Sequence, residues 1–369
     1  MRMICFECKK MIFQRGILLL ILLLALINVG KTVIYLHYNP TVSGVGAMSR
    51  EKGHRNVLKE YQGEMTEEKA KQLRKAQDDL YKSLTGDGEY HREDEEKNTI
   101  VNEYQYQYTY QFVMQEHLDA AGDNERFYQT RGNTGQVRYN RLIRKLYGDR
   151  FIENFYQCSY YDSLFDYQFS TLLLLIFAGV LSLRFFYLEK ECGMYQMLLS
   201  LGGARKKVLR SKYAVLFLGI LGMGCLLYLQ DFVLFRWMLD LHGIGTPVYA
   251  VQSYAASPYA LSILGFYLMI CGMRIAVIVL IALLMVLLEQ MCSGKFLPVV
   301  AAGLVCMGVI LTGDSYLSFG RSARTLHVVW LGDWPCPALL AGTVVYMILV
   351  ALLSVAVSRT FRSRVVRQG

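Results

Sequence analysis

The chain has 369 residues, 54% of them apolar, only six prolines, and a positive mean hydropathy of +0.27. Soluble globular domains carry about 45–50% apolar residues, and here the excess collects in long blocks between polar stretches. That pattern excludes a secreted disulfide scaffold, a disordered chain and a one-core cytosolic enzyme, and points to a polytopic membrane protein. The net charge of +9 is unevenly placed: residues 38–167 carry 18 Lys+Arg against 22 Asp+Glu, leaving +13 for the remainder. An acidic soluble insert is thus expected within a basic membrane protein, with Lys and Arg flanking apolar spans rather than binding nucleic acid.

In chain order, residues 1–15 predict an amphipathic interfacial elbow helix on the inner surface. Residues 16–36 form a first span of about 20 apolar residues, the length a bilayer core of about 30 Å needs. The basic start and apolar run resemble a signal peptide. No small-residue cleavage site follows in Asn28-Val29-Gly30-Lys31, so a retained signal-anchor is expected. Residues 37–167 make a domain-sized extracytoplasmic insert, α/β or mostly helical. Thr66-Glu67-Glu68 reads as a helix N-cap with acidic first-turn residues. Ala70, Leu73, Gln77, Leu80 and Leu84 continue at helical spacing to a stop at Gly86. The charged stretch Asp87 to Lys97 reads as a solvated turn or helix end. Tyr104, Tyr106, Tyr108, Tyr110 and Phe112 alternate strictly, which predicts a half-buried strand. A basic helix-like stretch, Arg138 to Arg150, leads back to the membrane.

Five more spans are expected at 168–188, 213–235, 259–289, 296–313 and 336–358, with a cytoplasmic loop at 189–212 and a basic tail at 359–369. The fourth could instead be a tight hairpin. Under the six-span arrangement the inner side holds sixteen Lys+Arg and the short outer loops only Arg236, Arg321 and Arg324. The positive-inside rule therefore favours six spans, both termini cytoplasmic, in the cell membrane. Trp237, Trp330 and Trp334 then fall at the outer interface as an aromatic belt.

Of nine cysteines, Cys158 alone lies well inside the insert, so that domain has no internal disulfide; pairing of Cys158 with Cys336 stays open. There is no G-x-x-x-x-G-K-[ST] loop to cradle ATP and no H-E-x-x-H. The lone Cys5-Phe6-Glu7-Cys8 lacks a second pair of ligands, and His91 beside Glu93 to Glu96 reads as a solvated charged face. No metal site, bound cofactor or catalytic residue is expected in this chain.

The most informative segment follows the second span. Glu189, Glu191 and Gly193 lead into an apolar stretch of Met194, Met197, Leu198 and Leu201, then Gly202-Gly203-Ala204-Arg205 and a lysine, Lys212, opening the next span. A short amphipathic helix at the inner surface is a natural docking element. This Glu-x-Glu-x-Gly pattern ending in Leu-Gly-Gly-Ala-Arg resembles the type-2 permease subunits of ABC transporters. The resemblance implies six spans, an elbow helix, an insert between spans one and two, and a loop that docks on a separate ATPase holding ATP and Mg. It implies that Glu189, Glu191, Gly193, Met194, Met197, Leu198, Leu201 and Arg205 make the coupling region, and that a second permease subunit, identical or related, completes the transporter. Export is the expected direction. Permeases that transmit force to outer partners share the insert and a similar loop but usually have four spans. A ligand-sensing receptor is a third reading.

Arg274 interrupts the fourth span, and a charge at the bilayer centre costs on the order of 2.5–3.5 kcal/mol on insertion scales. It would line a translocation path or pair with Asp231 near the end of span three. Otherwise the helix lies shallow or breaks, and Arg274 snorkels at the outer interface. Ala338 and Gly342 give span six a small-x-x-x-small face.

Overall fold

The computed structural model describes residues 2–38, 62–64, 66–85, 92–191, 204–239, 241–291 and 323–368, with backbone alone at 2, 80, 83–85, 92–100, 186–191, 204–206 and 361–368. The span expected at 296–313 and residues 192–203 of the loop expected at 189–212 lie outside the described residues.

Among the described residues, five segments are long and apolar enough to cross a membrane: Arg15–Tyr38, Tyr161–Phe185, Lys207–Leu239, Ile263–Met291 and Ala338–Thr360. They belong to helices α2 (Arg15–Tyr38), α6 and α7 (Tyr161–Asp166 and Phe169–Glu191), α8 (Ala204–Leu239), α9 (Ile263–Met291) and α10 (Ala338–Gln368). Helices that are apolar on every side are stable only inside a large core or a bilayer, which makes this an α-helical membrane protein. α7 and α8 form the centre of the bundle: α2 leans on α8, α9 packs on α7 and α8, and α10 attaches along α9. The flanks stay apolar and open, with Leu19, Leu22 and Leu26 on α2 and Val344, Met347 and Leu352 on α10 exposed.

Without a hydrophobic drive between helices in lipid, close packing and polar contacts must hold such a bundle. Two glycines of α8 allow the close packing. A Cβ on Gly224 would lie 2.9 Å from the Ile275 side chain of α9, and one on Gly219 would lie 2.8 Å from Leu181 of α7. α9 runs unbroken from Ile263 to Met291, a single helix rather than a hairpin, with Arg274 well inside it.

Opposite the ends that carry Arg15 and Lys207, a helical head covers the bundle. α3 (Glu67–Thr85), α4 (Arg92–Thr130) and α5 (Thr134–Tyr147) fold as consecutive hairpins, with α4 packed between the other two. Gly132, at φ +71, turns the chain between α4 and α5. Asn133 caps α5 by accepting from the Gln136 N–H at 3.1 Å. A two-residue pairing, β1 (Gly63–Glu64) with β2 (Asn154–Phe155), ties the start of the head to its exit.

The strand expected over Tyr104–Phe112 is corrected to the middle of α4, a helix of 39 residues. Alternating aromatics suit a helix that is buried on two sides. Tyr106 and Tyr110 turn towards Tyr249, whereas Tyr108 turns towards Arg74 of α3. Val101, Tyr104, Gln107, Tyr110 and Met114 are buried at three- and four-residue spacing, a helical row hidden within the alternation. The charged residues from Arg92 to Lys97 open this same helix, the helix-end alternative of the two expected, and residues 86–91 lie outside the described residues. The basic stretch before the second span is helical over Thr134–Tyr147.

The head is composite. Residues 241–262, with short 3-10 turns at Val248–Ala250 and Gln252–Tyr254, pack under α4. A hairpin of β3 (Val328–Leu331) and β4 (Trp334–Pro337) packs on α5. Arg138 stacks over Trp334 at 4.1 Å and Thr134 donates to Asp333 at 3.1 Å. Cys158 and Cys336 are both free thiols.

Candidate functional site

Among the described residues, two polar constellations each tie three helices together. The first joins α1 to the helices on either side of residues 192–203. α1 (Arg2–Met11) lies across α8 and α7, with Met11 buried between them. Glu7 on α1 and Lys212 on α8 form a buried ion pair at 3.5 Å, and Lys212 Nζ also donates to the Phe185 carbonyl of α7 at 2.6 Å. Just beyond α1, the Gln14 side-chain oxygen accepts from the Arg184 guanidinium of α7. A buried pair of this kind is held by its geometry and by the further bonds of each charge, and removing one partner strands the other. Helix α1, the end of α7 and the start of α8 are therefore bonded to one another.

Glu189 and Glu191 fall in the last turn of α7, and Arg205 is the second residue of α8, so the three stand at the two ends of that loop. Gly193, Met194, Met197, Leu198 and Leu201 lie outside the described residues.

The second constellation lies where α2, α7 and α8 meet. Asp231 of α8 is buried, and its Oδ1 accepts from the Asn28 amide of α2 at 2.9 Å and from Thr32 Oγ1 at 3.4 Å. Ser170 of α7 contacts Asp231 Oδ2 and lies 2.9 Å from Asn28 Oδ1. Thr32 also meets the Tyr167 hydroxyl at 2.9 Å, and Thr171 meets the Tyr228 hydroxyl at 3.1 Å. Polar side chains inside a bundle are expensive unless they satisfy one another, and these do so across elements some 60 to 200 residues apart.

Arg274 is 1% exposed. Its two terminal nitrogens donate to the carbonyls of Tyr167 at 2.8 Å and Phe165 at 2.7 Å, where the chain passes from α6 into α7. Those carbonyls have lost their helical partners at the break, and the guanidinium fork supplies them. Among the described residues Arg274 makes no ion pair with Asp231; the two side chains sit in adjoining networks that share Tyr167.

In the head, a third buried carboxylate does structural work. Glu103 of α4 accepts from the backbone N–H groups of Cys158 and Ser159 and from Ser159 Oγ, binding the segment that leads into α6. Burial pushes its carboxyl up to about 7 despite those three donors. Tyr106, Gln107, Tyr110 and Tyr147 donate to carbonyls of residues 249–256, and Arg150 donates to Ser257 O at 2.6 Å, so α4 and α5 hold the loop before α9 through its backbone.

Two apolar cavities accompany this architecture. One of about 570 Å³ lies between α9 and α10, lined by Met269, Met273, Leu339 and Tyr346. The other, about 580 Å³, lies between α4 and α5, lined by Val113, Met114, Leu118 and Ile143. Among the described residues no group of three or more His, Cys, Asp or Glu side chains is placed to hold a metal ion.

Sequence reasoning singled out Asp231 and Arg274 but passed over Asn28, Thr32, Ser170 and the Glu7–Lys212 pair. The signal was present in Asn28, an amide within the run Leu22 to Val29, because such a residue needs a partner in the bundle. No protein-family model, curated protein or solved structure matches the chain.

Proposed function

We propose that this chain is the membrane-spanning permease subunit of an ATP-binding-cassette exporter, itself without catalytic activity, working with a separate P-loop ATPase and a second permease subunit. The observation that carries the reading is the joint at the foot of the bundle. Glu7–Lys212 and Gln14–Arg184 link the elbow to both helices that flank the loop at 192–203. A push on that loop is thereby delivered to α7 and α8, the two central helices, and through them to α2 and α9.

In this reading the topology has six spans, both termini are cytoplasmic and the head faces outward. Glu189, Glu191 and Arg205 present charge to the ATPase at the two ends of the loop, and the apolar stretch between them seats in its surface. ATP and Mg are held by the partner. The head follows the bundle because the loop before α9 and the hairpin before α10 are both bonded into it. That composite head also favours a second reading, a permease that passes the ATPase stroke to an outer partner.

The test is gentle purification of the full chain from native membranes, with a charge-reversed Glu189→Lys/Glu191→Lys variant in parallel. A P-loop ATPase recovered in stoichiometric amount with the wild type and lost from the variant supports both the function and the docking residues. Its retention by the variant moves the docking site elsewhere. Absence of any ATPase under all gentle conditions refutes the permease reading and leaves a receptor.

A further inference from the structure

The hydrogens at the α2–α7–α8 junction can be counted. The Asn28 amide NH2 faces Asp231 Oδ1 at 2.9 Å, with the Leu227 carbonyl and the Gln230 side-chain oxygen each at 3.3 Å. Turning that amide over would set its oxygen against three acceptors, so the orientation is determined and Asn28 Oδ1 faces Ser170 Oγ at 2.9 Å. Ser170 has a single hydroxyl proton and two acceptors in reach, Asn28 Oδ1 and Asp231 Oδ2. Thr32 and Tyr167 spend their protons on each other and on Asp231 Oδ1, and neither reaches this pair.

With Asp231 ionised, one oxygen must face the Ser170 oxygen with no proton between them, in a site closed to water. Orphaned acceptors of this kind are strongly disfavoured when buried. A proton on Asp231 Oδ2 completes the count. Asp231 donates to Ser170, Ser170 donates to Asn28 Oδ1, and Asn28 donates back to Asp231 Oδ1, closing a ring through three helices. Closed rings of hydrogen bonds polarise and strengthen one another.

We infer that Asp231 is a proton-binding site within the bundle, and that the bound proton joins α2, α7 and α8. The ligand is a proton and not a metal cation, because the Asn28 NH2 points a donor into the place where a cation needs an oxygen. The surrounding titratable and charged groups are Tyr167 from the α6–α7 joint, Tyr228 on α8, and Tyr267, Cys271 and Arg274 on α9. Arg274 is the one cation among them, and its fork is committed to the carbonyls of Phe165 and Tyr167. The site does not depend on the permease reading and stands whether or not an ATPase docks.

The experiment is infrared difference spectroscopy on the full chain in lipid nanodiscs at pH 7, in H2O and D2O. Wild type minus Asp231→Asn should show a protonated-carboxyl C=O band that shifts on deuteration. The amide introduced by Asp231→Asn can take over the donation to Ser170, so this variant keeps the ring and the fold. Ser170→Ala removes the acceptor of the acid proton, and the same band should move when wild type and this variant are compared. Carboxylate bands in place of the acid band in the first comparison overturn the proposal. An acid region unchanged by Ser170→Ala overturns it independently, whatever the fate of the Asp231→Asn variant.

Discussion

Glu103 offers the sharpest test of how the head is held to the bundle. Its carboxyl, 4.5 in an open chain, is pushed up to about 7 by burial in the fold, where it accepts from Cys158 N–H, Ser159 N–H and Ser159 Oγ. Each tenfold change in proton affinity is worth about 1.4 kcal/mol, so ionising Glu103 in the fold costs about 3 kcal/mol more than in the open chain. The native state holds this proton more tightly than the unfolded one. The contribution is therefore fully present below about 4.5, falls as pH rises towards about 7 and stays low above it. Glu103→Gln mimics the protonated acid: its oxygen still accepts both N–H groups and its NH2 faces Ser159 Oγ. Glu103→Ala strands the buried Cys158 N–H, at about 1–3 kcal/mol, and removes the acceptor of the part-buried Ser159 N–H. The assay is amide hydrogen exchange over residues 155–165 of the full chain in nanodiscs from pH 5 to 8, corrected for intrinsic exchange. Wild-type protection should fall with pH, the Gln variant should stay flat, and the Ala variant should lose protection throughout. Wild-type protection that is independent of pH and equal to that of the Gln variant would refute the reasoning.

Two further outcomes follow from packing at the foot and centre of the bundle. Lys212→Met leaves the Glu7 carboxylate buried and unpaired, which should cost about 3–5 kcal/mol. Adding Glu7→Gln should recover much of that loss, read as thermal stability in detergent, and a double variant no more stable than Lys212→Met argues against the pair. Gly224→Ala places a methyl 2.9 Å from Ile275 and should destabilise by about 1–3 kcal/mol. Ile275→Ala, which removes both close carbons, should cost less in the Gly224→Ala chain than in the wild type, and an absence of coupling between the two positions would show that α8 and α9 do not meet there.

Span-length apolar runs were readable from the residues alone, because a helix apolar on every side has few stable environments. α2 and α9 follow from their Leu, Ile and Val content without reference to any neighbour. The capped acidic start of α3 and the basic helix α5 were likewise local, encoded by Thr66, Glu67 and Glu68 and by the spacing after Asn133. The alternating aromatics of α4 misled for a physical reason. Period-two burial signals a strand only when one face is buried, and α4 is covered by α3 on one side and by α5 and residues 249–256 on the other.

Tertiary structure alone decided which polar residues meet. Asp231 and Arg274 invite pairing on paper, yet the fold gives Asp231 to Asn28, Thr32 and Ser170 and gives Arg274 to two carbonyls freed where the chain breaks between α6 and α7. The partners of Asp231 lie 61 to 203 residues away in the chain. Charge and hydropathy are properties of each residue and its neighbours along the chain, so they announce that a buried polar group needs a partner. Only the packing angles and the close approach permitted at Gly219 and Gly224 determine which partner it finds.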